Sequence, residues 1–324
     1  MKNQRWAMTL CLGVCLSGAV TAQTPAQPPY ALQGRIWDAR TQQFITEPLL
    51  YQRAAAARYV LLGEKHDSEA HHARQLDVLR GMAALGAQPA LAMEQLDAEH
   101  QDALSRAQST GQTDAEALAD AGQLDRKGWR WPMYKDLMAF AAQRQWPLRA
   151  ANLSRAEARK IALGEVAPTL PAATPAQLAA LENDVVQGHC GHRPESARLA
   201  GIVAAQRARD ARIAQVLDAV AGPVVLIAGA GHVRSDRAVP RYLAAPEQAL
   251  TIAMVETVAG KTAPADYDRA GFDVLWFTEP GEVRPDPCAT PLPGLAAPAA
   301  KPVVPSTPSP NPNPNPNPNP NPKP

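Results

Sequence analysis

Two histidines follow a glycine at the same spacing, and each glycine comes directly after a short apolar run. His66 stands three residues after Gly63, and His232 stands three residues after Gly229. A glycine at the end of a buried strand lets the backbone turn tightly and approach a ligand, and the histidine can then point back over the strand end. Imidazole can act as a general base or as a metal ligand. The repeated spacing predicts that both turns belong to one functional site.

Further polar residues follow other apolar runs of the chain. Glu64 lies inside the first turn, Glu94 follows the run 90–93, and Asn152 follows the run 148–151. Because ligands gather beyond the carboxyl ends of parallel strands, we expect these side chains to meet at one edge of a sheet. We use the name strand-end site for Glu64, His66, Glu94 and His232, with Asn152 as a further candidate.

Each of these residues also has an ordinary structural interpretation. The histidines could bond to backbone carbonyls, and the acids could pair with Lys65, Arg149 or Arg234. Burying several ionisable groups in one place is costly unless they serve a ligand or a metal. The complete set therefore favours a functional site over separate structural contacts.

Three more histidines lie in segments with helical periodicity. His71 and His72 follow the first turn closely enough for one of them to face the strand-end site, although such a pair more often lies on a solvated helix face. His100 stands in a polar helical stretch, which predicts a position at the surface.

The N-terminal 22 residues have the pattern of a secretory signal peptide. Lys2 and Arg5 precede an apolar stretch over 7–20, and small residues stand directly before residue 23. The apolar stretch is shorter than the roughly 20 residues that a transmembrane helix needs. We therefore predict an exported protein of the periplasm or cell envelope. Neither Cys11 nor Cys15 has the small preceding residues of a lipoprotein signal.

Only two cysteines, Cys190 and Cys288, lie outside the predicted signal peptide. In an oxidising compartment such a pair is expected to form a disulfide. The alternative is a metal site, because His189 and His192 flank Cys190, but neither cysteine belongs to a Cys-x-x-Cys pair.

Short apolar runs alternate with longer stretches of helical periodicity, which is typical of parallel strands joined by crossover helices. Strands are predicted at 59–62, 90–93, 148–151, 224–228, 252–255 and 274–277, and a hairpin from 34–38 and 43–46. Helices are predicted at 68–85, 98–109, 133–144, 155–163, 175–186, 196–220 and 235–243. The fold class is therefore α/β, with a mostly parallel sheet, flanking helices and an N-terminal hairpin. The Ala-rich stretch 95–146 is expected to form a helical excursion over one edge of the sheet, or a lid.

Composition sets the limits of the folded region. The chain of 324 residues has a formal net charge of +1 and no cluster of basic residues, so no nucleic-acid partner is indicated. Residues 289–324 are rich in proline and end in an Asn-Pro repeat, which has no apolar surface to bury and predicts a disordered tail. We expect one α/β domain over 23–288 between the signal peptide (1–22) and this tail.

Several segments together resemble the ChaN-like haem-binding uptake proteins, a family in the superfamily of Tiki and TraB proteins and erythromycin esterases. The similar segments, in chain order, are LLGEKHDSEAHH (61–72), AME (92–94), WPMYKDLMAF (131–140), AN (151–152), HCG (189–191) and GAGHVR (229–234). The resemblance spans most of the predicted domain. Many relatives are lipoproteins, and this signal sequence departs from that pattern.

The resemblance implies a bacterial cell-envelope protein that binds haem as a homodimer, with two haems stacked at the subunit interface, and that works with outer-membrane haem uptake machinery in iron acquisition. The positions carried over to its site are Glu64, His66, Glu94 and His232, with Asn152 in addition. Tyr134 lies in the aromatic segment and is a candidate ligand of the haem iron. An ordinary core tyrosine is the alternative.

Two other functions remain open at the level of sequence. In a metal-dependent hydrolase, His66 and His232, with Glu64 or Glu94, would hold zinc or manganese and activate water toward an ester or a peptide. In an envelope scaffold, the proline-rich tail would span the distance to a partner. Haem binding is favoured because the family resemblance points to it.

Overall fold

The structure is a computed structural model that describes residues 29–282 and 288–289. The predicted signal peptide lies outside the described residues, as does the predicted tail apart from Ala289. The described residues form two compact units, one from 29–155 with 208–282 and one from 156–207 with 288–289. In these ranges, no helix combines the length and the apolar composition needed to cross a membrane.

The first unit contains an eight-stranded sheet. Its strands are β1 (Ile36–Asp38), β2 (Gln43–Ile45), β3 (Tyr59–Glu64), β4 (Ala90–Asp97), β5 (Leu148–Asn152), β6 (Val224–Gly229), β7 (Ala249–Glu256) and β8 (Val274–Thr278). Their order is β2-β1-β8-β7-β3-β6-β4-β5. Strands β3 to β8 pair in parallel, whereas β1 pairs antiparallel with β2 and with β8. The predicted α/β class, parallel sheet and N-terminal hairpin are confirmed.

Helices of the first unit are α1 (Glu47–Ala56), α2 (Glu69–Ala84), α3 (Gln101–Ser109), α4 (Ala115–Ala121) and α5 (Lys135–Gln143). Helix α1 is not among the predicted helices, and α4 is predicted only as part of the helical excursion over 95–146. The helix predicted at 235–243 is wrong, because this segment contains only a short 3-10 helix, Val239–Arg241. Pro240 has no backbone N–H to donate, which removes a hydrogen bond from any α-helix through this segment.

The sheet is buried on both faces, because successive side chains of a strand point to opposite sides. On one face, Val60 and Leu62 pack in a cluster with apolar residues of α2, α4 and α5. On the other face, Tyr59 and Leu61 pack with residues 213, 214 and 217 of the long helix α8 (Ser196–Asp218). The predicted helical excursion over 95–146 consists of α3, α4 and α5, and these helices contribute to the main core.

The second unit contains α6 (Arg155–Ala162), α7 (Pro175–Gly188) and the first half of α8. Cys190 and Cys288 form a disulfide with a Cα–Cα distance of 5.3 Å, so the predicted pairing is confirmed. The alternative metal site at these cysteines is wrong, because their sulfur atoms are bonded to each other. Nδ1 of His189 is hydrogen-bonded to the carbonyl oxygen of Val185.

Candidate functional site

The two glycine turns lie side by side at the carboxyl edge of the sheet. Strands β3 and β6 pair in register, with Glu64 opposite Gly229. A Cβ atom at Gly63 would lie 2.5 Å from a methyl carbon of Val233, and a Cβ atom at Gly229 would lie 2.8 Å from Nε2 of His66. Each glycine therefore leaves space for the other turn. Close approach, rather than an unusual backbone angle, explains why both positions are glycine.

Glu64 is the most heavily bonded residue of the strand-end site, and its side chain is fully buried. Its Oε1 atom accepts hydrogen bonds from Tyr134 Oη at 2.5 Å, from His66 Nδ1 at 2.9 Å and from Gln95 Nε2 at 3.3 Å. Its Oε2 atom lies 3.1 Å from His72 Nε2. Glu64 thus holds His66 in a fixed orientation, with the proton on Nδ1.

Glu94 and His232 come together from different strands. The Oε2 atom of Glu94 accepts a hydrogen bond from the backbone N–H of Gly229 at 2.8 Å, and its Oε1 atom lies 3.4 Å from His232 Nε2. Both side chains are largely buried. The structure thus forms two contacting pairs, Glu64 with His66 and Glu94 with His232, at adjacent strand ends.

Asp210, on α8, is a site residue that the sequence analysis missed. It is buried, and its Oδ1 atom lies 2.6 Å from His232 Nδ1. Asp210 falls on the same helix face as residues 213, 214 and 217, which pack against the sheet. An acidic residue on the apolar face of a helix is a signal in the sequence, but it does not identify the partner.

His66 is the exposed member of the strand-end site. Its side chain is 45% exposed, and its Nε2 atom makes no hydrogen bond within the described residues. Its ring meets that of Trp129 edge to face, with 5.0 Å between ring centroids. Trp129 comes from the segment between α4 and α5, so an aromatic side chain from that segment flanks the ring of His66.

Tyr134 is the last residue of the segment between α4 and α5, and its side chain is completely buried. Its hydroxyl donates to Glu64, and burial together with that carboxylate raises the pKa of Tyr134 far above its usual value. The hydroxyl therefore keeps its proton. In this structure Tyr134 supports Glu64, and its proposed role as an iron ligand stays a prediction.

The expectation that His71 and His72 lie on a solvated helix face is wrong, because both side chains are buried. Nδ1 of His71 accepts a hydrogen bond from the backbone N–H of Lys65 at 2.9 Å. His72 contacts Glu64 and also forms part of the wall of a groove of about 470 Å³ beside α2 and α5. Two histidines of α2 thus contact the first glycine turn, His71 at Lys65 and His72 at Glu64.

Asn152 ends β5 and is buried, but its Oδ1 atom has no hydrogen-bond partner in the described ranges. No hydrogen bond in these ranges joins it to the strand-end site. His100 is partly buried and lies near two acids. Within residues 29–282 and 288–289, Asp97, Glu99 and His100 form the group whose possible metal-ligand atoms all lie within 4.8 Å of one another. The strand-end site is a looser arrangement of donor atoms.

The contacts of the strand-end site determine its charges. Burial opposes ionisation of Glu64, but the hydrogen bond from His66 and the close contact with His72 lower its pKa to about 2. Burial also opposes protonation of His232, yet the carboxylates of Glu94 and Asp210 raise its pKa to about 9. For His66, burial again opposes protonation, but the hydrogen bond to Glu64 and the charges of Glu94 and Glu64 together raise the pKa. At neutral pH, Glu64 is therefore ionised and His232 carries a positive charge.

This arrangement could hold a metal-containing group. A buried carboxylate bonds Nδ1 of each histidine, and such a partner is typical of imidazoles that bind metals through Nε2. The free Nε2 atom of His66 fits haem iron, for which imidazole is a common ligand. His232 would have to lose a proton before its Nε2 atom could bind a metal.

The family model described as haem-binding uptake, Tiki superfamily, ChaN matches residues 50–243. This range covers more than half of the chain and includes Glu64, His66, Glu94 and His232. The chain therefore belongs to this family of haem-binding uptake proteins, as the sequence resemblance predicts.

Two solved structures serve for comparison, and the first of them has a similar fold. The ChaN protein of Campylobacter jejuni, described by its cofacial haem binding, is 24% identical, with 74% of this chain and 95% of that chain covered and a TM-score of 0.66. A mutant of the erythromycin esterase EreC in its open conformation is 14% identical, with 77% and 84% covered and a TM-score of 0.37. Among curated proteins, no relative matches the chain.

Proposed function

We propose that this protein binds haem at the strand-end site and takes part in haem and iron uptake in the bacterial cell envelope. The proposal rests mainly on the orientation and the surroundings of the His66 imidazole. Its Nδ1 atom is fixed by Glu64, its Nε2 atom is unbonded, and Trp129 lies against its ring. An oriented, accessible imidazole beside an aromatic side chain suits a flat, iron-containing ligand.

Membership of a haem-binding uptake family supports the ligand, and the ChaN relative supports an arrangement of two haems. By analogy with that relative's cofacial haems, we propose that two copies of this chain form a homodimer around stacked haems. We also propose that the protein is exported to the periplasm or cell envelope, where it would act beside outer-membrane uptake machinery. In the haem site we include His66, His232, Glu64, Glu94 and Tyr134.

A haemin titration of the purified mature protein tests this proposal. We expect a saturable, shifted Soret band and a change from monomer to dimer in size-exclusion chromatography run alongside. The double variant His66→Ala/His232→Ala should lose the shifted band, whereas a control double variant, His100→Ala/His192→Ala, should keep it. A wild-type protein without a Soret shift would contradict haem binding. Retention of the band by the first double variant would assign haem binding to the surface around Trp129 instead.

A metal-dependent hydrolase is the second candidate function, and one observation favours it. Glu64 and Asp210 fix Nδ1 of His66 and His232, and Glu94 lies beside His232. Zinc or manganese held by His66 and His232 could activate water, with a glutamate as the general base. Metal analysis and hydrolysis of a p-nitrophenyl ester test this function. Loss of both zinc binding and turnover in His66→Ala/His232→Ala would support it, and absence of both in the wild-type protein would contradict it.

A further inference from the structure

Asp210 is a buried acid whose position needs an explanation. Only 2% of its surface is exposed, and a carboxylate at such depth is costly unless it is paired. Within the described residues, its hydrogen bond goes to His232. Its neighbour Arg209 forms no ion pair with it in those residues, so His232 is the cation that Asp210 contacts directly.

The helix that carries Asp210 is held firmly against the sheet. Residues 213, 214 and 217 of α8 pack in the same cluster as Tyr59 and Leu61 of β3. Eight residues beyond Asp210, the Oδ1 atom of Asp218 accepts a hydrogen bond from Tyr59 Oη at 2.7 Å. Asp210 is thus presented to the strand-end site by a rigid element, which is the condition for orienting another side chain.

The two histidines of the site are supported in the same way. Nδ1 of His66 meets Glu64 at 2.9 Å, and Nδ1 of His232 meets Asp210 at 2.6 Å. A carboxylate at Nδ1 fixes the ring orientation and directs Nε2 away from itself. For His232, Nε2 is directed toward Glu94, with the backbone N–H of Gly229 on the other oxygen of that acid.

We propose that Asp210 is a positioning residue of the strand-end site, which acts on the bound ligand through His232 as Glu64 acts through His66. The inference rests on the proposed function only in that the site must bind a ligand. Asp210 lies on α8, the helix before β6, and not at a strand end. This helix therefore determines the orientation in which His232 meets the ligand.

A double-mutant cycle tests the role of Asp210. Haemin affinity is measured for the wild type, Asp210→Asn, His232→Ala and the variant with both changes. We expect Asp210→Asn to weaken haemin binding by about 10- to 100-fold. In the His232→Ala background the same change should add little, because Asp210 acts through the imidazole. Fully additive losses, or no loss in Asp210→Asn, would overturn the proposal.

Asp218→Asn is the matched control, because it removes a carboxylate from the same helix outside the site. It should lower stability while haemin affinity stays at the wild-type value. Nitrogen-15 NMR of the wild-type protein provides a second readout that needs no variant to fold. We expect the His232 ring to carry a proton on Nδ1 that is hydrogen-bonded and protected from exchange; an unprotonated Nδ1 would overturn the assignment.

Failure of the wild-type chain to bind haemin would count against the proposed function alone. The cycle would then be measured with Zn²⁺ as the probe, with the same pattern of losses expected. If the wild type bound neither haemin nor Zn²⁺, the positioning role would fail as well, whatever the NMR spectrum showed of the His232 ring.

Discussion

The Nε2 atom of His66 lies 2.8 Å from the place that a Cβ atom would occupy at Gly229. A single methyl group on β6 would therefore collide with the imidazole that ends the neighbouring turn. Gly231, two residues further along, has open space at the equivalent position. A methyl group would therefore fit at Gly231 but not at Gly229.

We expect Gly229→Ala to displace His66 and to weaken ligand binding by about 10- to 100-fold. The cost in stability should stay within about 1–3 kcal/mol, because the exposed ring of His66 can move. Gly231→Ala is the control and should leave binding unchanged. Haemin titration and urea denaturation of both variants provide the measurement, and equal binding by the two would contradict the steric argument.

Tyr134→Phe removes the shortest hydrogen bond to Glu64. Because the carboxylate is buried and ionised, we expect the free energy of unfolding to fall by about 2 kcal/mol. The haemin Soret band should keep its position, since the Tyr134 hydroxyl holds its proton. Tyr59→Phe, which removes a buried hydroxyl bonded to Asp218, is a control for the loss in stability. A shifted band in Tyr134→Phe alone would identify Tyr134 as an iron ligand.

His71 predicts how stability depends on pH. Burial lowers its pKa from 6.5 to about 4, so the unfolded chain binds a proton more readily than the folded one. The contribution of His71 to the free energy of unfolding is therefore fully present above pH 6.5. It is lost as the pH falls to about 4, and the total loss is about 3 kcal/mol. The pKa of Glu64 is lowered from 4.5 to about 2, so the stability that Glu64 contributes is lost only as the pH falls from about 4.5 to 2.

The variant His71→Asn isolates this contribution, because an amide oxygen can still accept the hydrogen bond from Lys65. Free energies of unfolding are measured by urea titration at several pH values between 7 and 4. As the pH is lowered over this range, the free energy should fall for the wild type and should fall less for the variant. Parallel curves for the two proteins would show that His71 is not the group responsible.

The disulfide closes a long loop, because Cys190 and Cys288 are 98 residues apart. Replacing both cysteines by serine should lower the free energy of unfolding by about 2–5 kcal/mol. Thermal denaturation with and without dithiothreitol measures this: the reductant should destabilise the wild type and have no effect on the variant. Haemin binding should be unchanged, since neither cysteine is among the residues proposed to bind haem.

Local patterns in the sequence were sufficient for much of the fold. The six predicted parallel strands all occur, because a strand buried on both faces is a continuous apolar run with clear ends. The hairpin and the disulfide were also predictable. Helix α1 was missed because its Ala-rich sequence has no strong apolar stripe, and the helix predicted at 235–243 does not form because of Pro240.

By itself, the sequence predicted which strand ends carry the proposed site, since Gly63, Glu64 and His66 lie at the end of one strand and Gly229 ends another. Only the tertiary structure decided which side chains contact these residues. Tyr134 and Asp210 lie far away in the chain and contact Glu64 and His232, respectively. His72 contacts Glu64 from helix α2. Helical periodicity shows that a residue lies on a buried face but not what it meets there, because that depends on how the helix packs against the sheet.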